Sequence, residues 1–163
     1  MQFKIGDNVV YPFQGAGTIA EICHQTIDGK IKDFFEVDFV YGNVKMLVPV
    51  ENAENVGMRK VIEKDEIQKI LDHIAIESLG LLNQNWNKRQ KECLERIKTA
   101  DIYEIASIYK HFCLREKKKP LSSGEKKMMN SVMKSLLSEI HLASGKSLEE
   151  VENLVNDTIA GKV

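Results

Sequence analysis

The sequence predicts an α+β protein with two parts, a small, strongly bent β-barrel followed by an all-α bundle of five helices. Two observations predict this fold. The first third of the 163-residue chain holds short β-rich segments separated by glycine and other turn residues. After residue 57 the spacing of apolar residues changes from every second residue to about 3.6 residues, the period of an α-helix. We therefore expect a barrel domain at 1–57, a linker at 58–63 and a helical domain at 64–163.

Five segments of the first third have the composition of strands. Phe35, Val37 and Phe39 alternate with acidic residues, as in a strand with one buried face. Asp28-Gly29 and Gly42-Asn43 tolerate the positive φ of tight hairpin turns. Five short strands are too few for a large sandwich and favour a barrel of the SH3 or Tudor kind, whose edge strand can pair with a partner protein. The candidate strands are 3–5, 8–11, 17–27, 32–41 and 44–50.

Apolar residues at helical spacing and capping motifs predict the five helices. The first two are expected around the apolar stripe 67–74 and over 86–99, the second with Cys93, Leu94 and Ile97 facing inward. Capping boxes, which satisfy the first N–H groups of a helix, predict the starts of the other three. The boxes are Asp101-x-x-Glu104, Ser122-x-x-Glu125 and Ser147-x-x-Glu150, and the last two helices are expected to end at Gly145 and Gly161.

Charge is segregated along the chain although the net charge is only −1. Residues 86–135 hold 13 Lys or Arg against 6 Asp or Glu, a local +7, whereas residues 1–57 hold 4 against 8, a local −4. Trp86 opens the second helix beside three cations, an arrangement suited to a ring in the DNA minor groove and cations on phosphates. The alternative is that Trp86 anchors an amphipathic helix while the lysines lie on solvated faces or offset a helix macrodipole.

No enzyme, metal or membrane motif stands out in the sequence. Cys23, Cys93 and Cys113 lie far apart, which indicates free thiols and a reducing compartment. His111-x-Cys113 lacks a second ligand pair, so we expect neither a metal nor a cofactor. The histidines have no matched acid or nucleophile nearby in sequence. The chain also lacks a signal-type or membrane-spanning apolar run, which predicts a cytoplasmic protein.

Four separated motifs resemble the CarD and CdnL family of bacterial transcription regulators, and together they extend over essentially the whole chain. They are Phe3-Lys4-Ile5-Gly6-Asp7-x-Val9-Val10-Tyr11-Pro12-x-x-Gly15, Val48-Pro49-x-Glu51-Asn52-Ala53-Glu54-x-Val56-Gly57-x-Arg59, Asn85-Trp86-x-x-Arg89-x-Lys91 and Leu121-Ser122-x-Gly124-Glu125-Lys126-x-Met128. The resemblance implies a Tudor-like domain that binds the β subunit of RNA polymerase, a module also found in transcription-repair coupling factors. It further implies a helical domain that touches promoter DNA at the upstream edge of the melted bubble and stabilises the open complex.

The resemblance also assigns residues to each partner. Actinobacterial relatives carry arginines at the positions of Gln25 and Leu47, so the charge-assisted contacts of those relatives with polymerase are not expected here. Pairing through the edge strand 44–49, with Ile27 nearby, is expected instead. The predicted polymerase-binding residues are Gln25, Ile27, Val44, Lys45, Met46 and Leu47, and the predicted DNA-binding residues are Trp86, Lys88, Arg89, Lys91, Lys126 and Lys127.

Two other functions stay open at the level of sequence. One is a protein-interaction module that binds polymerase or a repair factor while the helical bundle is only a scaffold. The other is an enzyme whose site forms only in the fold. We expect a monomer, although a linker at 58–63 would permit a domain-swapped dimer.

Overall fold

The computed structural model describes residues 3–76 and 86–161, without the side chains of Trp86 and Asn87. An antiparallel five-stranded sheet is followed by helices, which confirms the predicted α+β fold class. The strand order is β4-β3-β2-β1-β5. The strands are β1 Asn8–Tyr11, β2 Gly15–Ile27, β3 Lys30–Phe39, β4 Lys45–Pro49 and β5 Arg59–Lys60, and the helices are α1 Ile67–Ile76, α2 Trp86–Lys98, α3 Ile102–Lys118, α4 Ser123–Ser144 and α5 Leu148–Ile159.

The β2–β3 hairpin forms as the sequence predicts. Its strands pair without interruption from Ile27↔Lys30 back to a register shift between Ile19 and Glu21. Asp28 and Gly29 in the turn have φ of 53° and 76°, the left-handed values that the hairpin turn requires. Phe35 and Val37 are buried, and they pack with Phe3, Val9, Ile19, Phe39 and Val48 into the core of the sheet.

The prediction of a strand at 3–5 is wrong. The backbone turns there, because Asp7 N donates to Lys4 O and the Asp7 side chain accepts from Lys4 N. Phe3 nevertheless reaches the sheet core, where its ring meets Phe35 edge to face. The fifth strand is β5, which pairs with β1 through Val10↔Arg59. It lies within 58–63, so part of the predicted linker belongs to the sheet. The division into 1–57, 58–63 and 64–163 as domains stays a prediction.

The predicted helices all appear, and N-terminal caps explain where α3, α4 and α5 begin. Ser122 and Ser147 each form a complete capping box at the start of α4 and α5. Asp101 forms only half a box, since its carboxylate accepts from the first turn of α3 while its own N–H donates to Thr99 Oγ1. Leu94 was expected to face inward with Cys93 and Ile97, but it is exposed, and the buried side of α2 holds Cys93, Ile97 and Arg89 among the described side chains.

A buried ion pair joins the sheet to the helices. Glu139 in α4 is 1% exposed, and Arg59 in β5 donates to both of its carboxylate oxygens over 2.7 and 2.8 Å. Ile62 N donates to the same carboxylate over 2.9 Å. Arg59 also donates to Ala100 O in the α2–α3 turn over 2.8 and 2.6 Å. One arginine therefore links the last strand, the α2–α3 turn and the C-terminal part of α4.

The start of β2 packs closely against α4. Ala16 N donates to Ser138 Oγ over 2.9 Å in a buried contact. A Cβ at Gly15, whose φ is 89°, would lie 2.9 Å from Ser138 Oγ and 3.3 Å from Ser135 Cα. Glycine at this position thus permits the approach of α4. Val10, Ala16 and Ala100 form a small apolar cluster at the junction.

We expect Arg59→Ala to lower the free energy of unfolding by about 3 kcal/mol or more, because it leaves the buried Glu139 carboxylate without its cation. Lys60→Ala is the matched control next in sequence. Its side chain is half exposed and lies 3.8 Å from Asp7, so its loss is expected to cost less than about 1 kcal/mol. Urea denaturation of the two variants measures the difference, and equal losses would show that the buried pair contributes no more than a surface one.

Candidate functional site

Strand β4 forms one edge of the sheet, and among the described strands it pairs only with β3. Phe39 N donates to Val44 O, and hydrogen-bonded pairs alternate along an antiparallel ladder. The bonds from β4 to β3 therefore fall at Met46 and Val48, and the backbone groups of Lys45 and Leu47 face away from the sheet. This open edge can accept one further strand.

The predicted polymerase-binding residues divide between the two faces of the sheet. Gln25, Ile27, Lys45 and Leu47 share the face opposite the core, because their partners Lys32, Lys30, Asp38 and Glu36 have the same parity in β3. Met46 is half-buried against the sheet core, and Val44 lies exposed in the turn before β4. A hollow of about 600 Å³ next to the open edge is lined by Ile27, Phe34 and Pro49.

One group on this face has the residue types of a metal site. The possible ligand atoms of Glu21, Cys23 and Glu36 lie within 4.8 Å of one another. Lys45 Nζ already stands 4.0 Å from Glu36, and Glu21 is exposed. The group lacks the buried, hydrogen-bonded surroundings that orient metal ligands, so we assign no metal to it.

A second buried carboxylate, Glu125 in the first turn of α4, faces one predicted DNA-binding residue, Arg89, and directly precedes two others, Lys126 and Lys127. Glu125 is 5% exposed. Its Oε1 accepts from Ser122 N, and its Oε2 lies 3.1 Å from Arg115 in α3 and 3.6 Å from Arg89 in α2. Glu125 thus holds the start of α2 and the end of α3 against the start of α4.

The structure separates Arg89 from the other predicted cations. Arg89 is 7% exposed and faces Glu125. Lys88, Lys91, Lys126 and Lys127 are exposed, and none of the four forms an ion pair with a described residue. These four lysines, at the starts of α2 and α4, are called the basic corner below. Trp86 is the first residue of α2, but its side chain lies outside the described residues.

His111 in α3 lies in the same charged surroundings. Burial, followed by the nearby Arg115 and Arg89 guanidinium groups, lowers the pKa of His111, and Glu125 partly opposes them. No described residue hydrogen-bonds its buried Nε2. His111 is therefore favoured in its neutral form in the folded state. Burial also raises the pKa of Cys93 to about 11, which makes this thiol unreactive.

Sequence reasoning missed Glu125, Arg115 and Glu139 as organising residues. Glu125 was identified only as a capping residue, a role that it does fill. Glu139 carried a usable signal, since an acid between Leu136, Leu137 and Ile140 lies on the apolar side of a helix and needs a buried partner.

None of the described helices combines the length and the apolar character that crossing a bilayer requires.

Both parts of the chain match known families. Residues 3–62 match the family model described as CarD-like/TRCF RID domain, and residues 60–156 match the one described as CarD, C-terminal domain. YdeB of Bacillus subtilis (strain 168), a transcription factor by name, is 26% identical over 151 residues, which are 93% of this chain and 98% of YdeB. A transcription-repair-coupling factor of Rickettsia prowazekii (strain Madrid E) is 32% identical over 102 residues, which are 63% of this chain and 8% of that protein.

We expect His111 to make the protein less stable in acid. Its folded pKa lies below the unfolded value of about 6.5, so its stabilising contribution is complete above that pH and is lost as pH falls through the folded pKa. The loss is at most about 1.4 kcal/mol per pH unit. Urea denaturation of wild type and His111→Gln at pH 7.5 and 5.0 measures it. The variant should lose less stability than wild type, and an equal loss would contradict the prediction.

Proposed function

Because the chain belongs to the CarD family of transcription factors, we propose that it joins RNA polymerase to promoter DNA. The sheet binds the β subunit of polymerase. The helical part binds DNA at the upstream edge of the melted bubble and stabilises the open complex. The proposal that the helical part binds DNA rests on the basic corner, where Glu125 holds the lysine-bearing starts of α2 and α4 next to each other.

The polymerase half rests on the RID match and on the open edge of β4. Outward N–H and C=O groups on Lys45 and Leu47 offer backbone pairing to a strand of the β subunit. Leu47 and Ile27 are 41% and 38% exposed, and they supply apolar contact area beside that edge. Affinity then depends mainly on main-chain bonds, which do not require arginines at positions 25 and 47.

In the proposed contact with DNA, the lysines and Arg89 have different roles. Lys88, Lys91, Lys126 and Lys127 contact phosphates, since they are exposed and have no ion-pair partner among the described residues. Arg89 contributes through Glu125, by holding α2 in place, and its own contact with DNA stays a prediction. Trp86, at the first residue of α2, contacts the minor groove at the junction of paired and melted DNA.

Such contacts stabilise an open complex if they are stronger with the bent junction than with intact duplex. A difference of about 1.4 kcal/mol between the two states changes the equilibrium tenfold. One aromatic ring that packs at an unstacked step is sufficient for a difference of this size. The protein therefore needs no catalytic step to change transcription.

The second candidate function is an interaction module whose sheet binds polymerase or a repair factor without any DNA contact. The match with a transcription-repair-coupling factor favours it, because the shared sequence implies a common docking mode. The two functions differ in salt dependence. Contact with phosphates makes affinity for DNA fall steeply as salt rises, and a scaffold shows no such dependence.

We expect wild-type protein to prolong the lifetime of promoter open complexes formed by its own polymerase, and Trp86→Ala to remove most of this effect. The measurement is the decay of open complexes after a competitor is added. Lys146→Gln, an exposed change in the α4–α5 loop, is the control and should act as wild type. Circular dichroism must show that Trp86→Ala is folded. If the folded variant prolongs the lifetime as wild type does, the tryptophan contact is wrong and the interaction module gains support.

We expect Leu47→Pro to weaken binding to purified polymerase about tenfold, because proline removes the outward N–H that pairs with the partner strand. Leu47→Thr keeps this N–H and should lose less than about threefold. Fluorescence anisotropy of labelled protein measures both affinities, and thermal denaturation checks that each variant folds. Equal weakening by the two substitutions would assign the contact to the side chain rather than to strand pairing.

A further inference from the structure

The end of α3 carries three consecutive lysines, Lys117, Lys118 and Lys119, that the family resemblance does not assign to a partner. All three are exposed, and none forms an ion pair with a described residue. Several cations elsewhere do form such pairs, including Lys32 with Glu51, Lys60 with Asp7 and Arg96 with Glu104. The three lysines thus present positive charge that no described residue neutralises in an ion pair.

The position of these lysines is set by the same carboxylate that organises the basic corner. Arg115, one turn before Lys119, lies 3.1 Å from Glu125. Lys119 N donates to Arg115 O and ends α3 in an extended conformation. Leu121 is buried, and Ser122 caps α4, so both ends of the short connection are anchored. The lysine run is therefore held at a defined place beside the start of α4.

The chain between Lys119 and Lys126 is short enough for both to meet one DNA duplex. Three extended residues and four helical residues separate their Cα atoms by at most about 17 Å. This distance is half of one turn of B-DNA, which is about 34 Å. A duplex laid on the basic corner brings several phosphates of each strand within this distance, since each strand carries one phosphate per about 3.4 Å.

We propose that Lys117, Lys118 and Lys119 form a second phosphate-binding tract, which contacts the duplex DNA next to the step bound by the basic corner. This inference rests on the proposed function. Glu116 precedes the tract and offsets one of its charges, leaving a local +2 from four residues. The tract binds the sugar–phosphate backbone without reading sequence, because a lysine ammonium group is a compact charge that pairs with phosphate oxygens.

The other explanation for these lysines is structural. Cations in the last turn of a helix interact favourably with its macrodipole, and in that case they affect folding and not DNA affinity. Removing the charges separates the two roles, because the structural role changes thermal stability without changing the salt dependence of DNA binding.

The test compares four full-length proteins on one fluorescein-labelled 20-base-pair duplex by anisotropy, across sodium chloride from about 25 to 200 mM. The first is wild type, and the second carries Lys117→Gln, Lys118→Gln and Lys119→Gln. The third carries arginine at the same three positions. The fourth, a control of equal charge change, carries Lys4→Gln, Lys30→Gln and Lys146→Gln, all at exposed positions outside α2, α3 and α4.

We expect the glutamine variant to reduce the slope of log K against log salt by about 1 to 2.7, since each phosphate contact contributes about 0.9. The arginine variant and the control should keep the wild-type slope. An unchanged slope in the glutamine variant overturns the inference. If that variant does not fold, the three single Lys→Gln variants replace it, each with an expected reduction of up to about 0.9, and three unchanged slopes overturn the inference equally.

Failure of the inference can be told apart from failure of the proposed function. Glutamine at Lys88, Lys91, Lys126 and Lys127 should reduce the slope whether or not the α3 tract contributes. If wild type binds the duplex and only this basic-corner variant has a reduced slope, the tract is excluded and the proposed function stands. If wild type shows no salt-dependent binding to the duplex, both are overturned.

Discussion

The ion pair between Arg59 and Glu139 is the contact on which the arrangement of sheet and helices depends. A carboxylate that is 1% exposed loses its hydration, and it must recover that energy from protein donors. Here it receives two N–H groups from Arg59 and a third from Ile62 N. Two further guanidinium donors reach Ala100 O and another reaches Lys60 O, so the α2–α3 turn cannot shift without breaking the same network. Few packings of α4 on the sheet satisfy all of these groups at once.

The same physical device appears at the other end of α4, with a different consequence. Glu125 is buried and meets two arginines, whereas the lysines around it remain in solvent. This division follows from the chemistry of the two cations. The planar guanidinium is weakly hydrated and suits a buried ion pair, while the compact ammonium keeps its water until a phosphate replaces it. Arginines thus hold the helices of the corner together, and lysines remain exposed on its surface.

Local sequence signals predicted most of the fold and only part of the site. The Asp28-Gly29 turn and the serine caps of α4 and α5 depend on residues next to each other in the chain, and they formed as expected. Strand β5 is two residues long and exists through its pairing with β1, so no local pattern marks it. Phe3 has strand-like composition, but a turn at Lys4–Asp7 overrides it.

The roles of Arg89 and Glu139 were also not predicted, because they depend on contacts between residues far apart in the sequence. The sequence shows which residues are cationic, and it places Arg89 beside Lys88 and Lys91 without distinction. Only the fold shows that α2 turns Arg89 toward Glu125, which lies 36 residues away in sequence, and turns the lysines toward solvent. The burial of Glu139 likewise depends on a partner 80 residues away.

Helix α4 also fixes the distance and the relative rotation between its two buried carboxylates, Glu125 and Glu139. Glu139 and Glu125 are 14 residues apart on one uninterrupted helix, which corresponds to about 21 Å and nearly four full turns. Helix α4 therefore sets the distance between the sheet and the basic corner. Each residue added to or removed from this helix changes the distance by about 1.5 Å and rotates one end relative to the other by about 100°. One residue inserted between the two acids would turn the lysines to another side of the helix, so evolution can adjust reach along this helix only in whole turns.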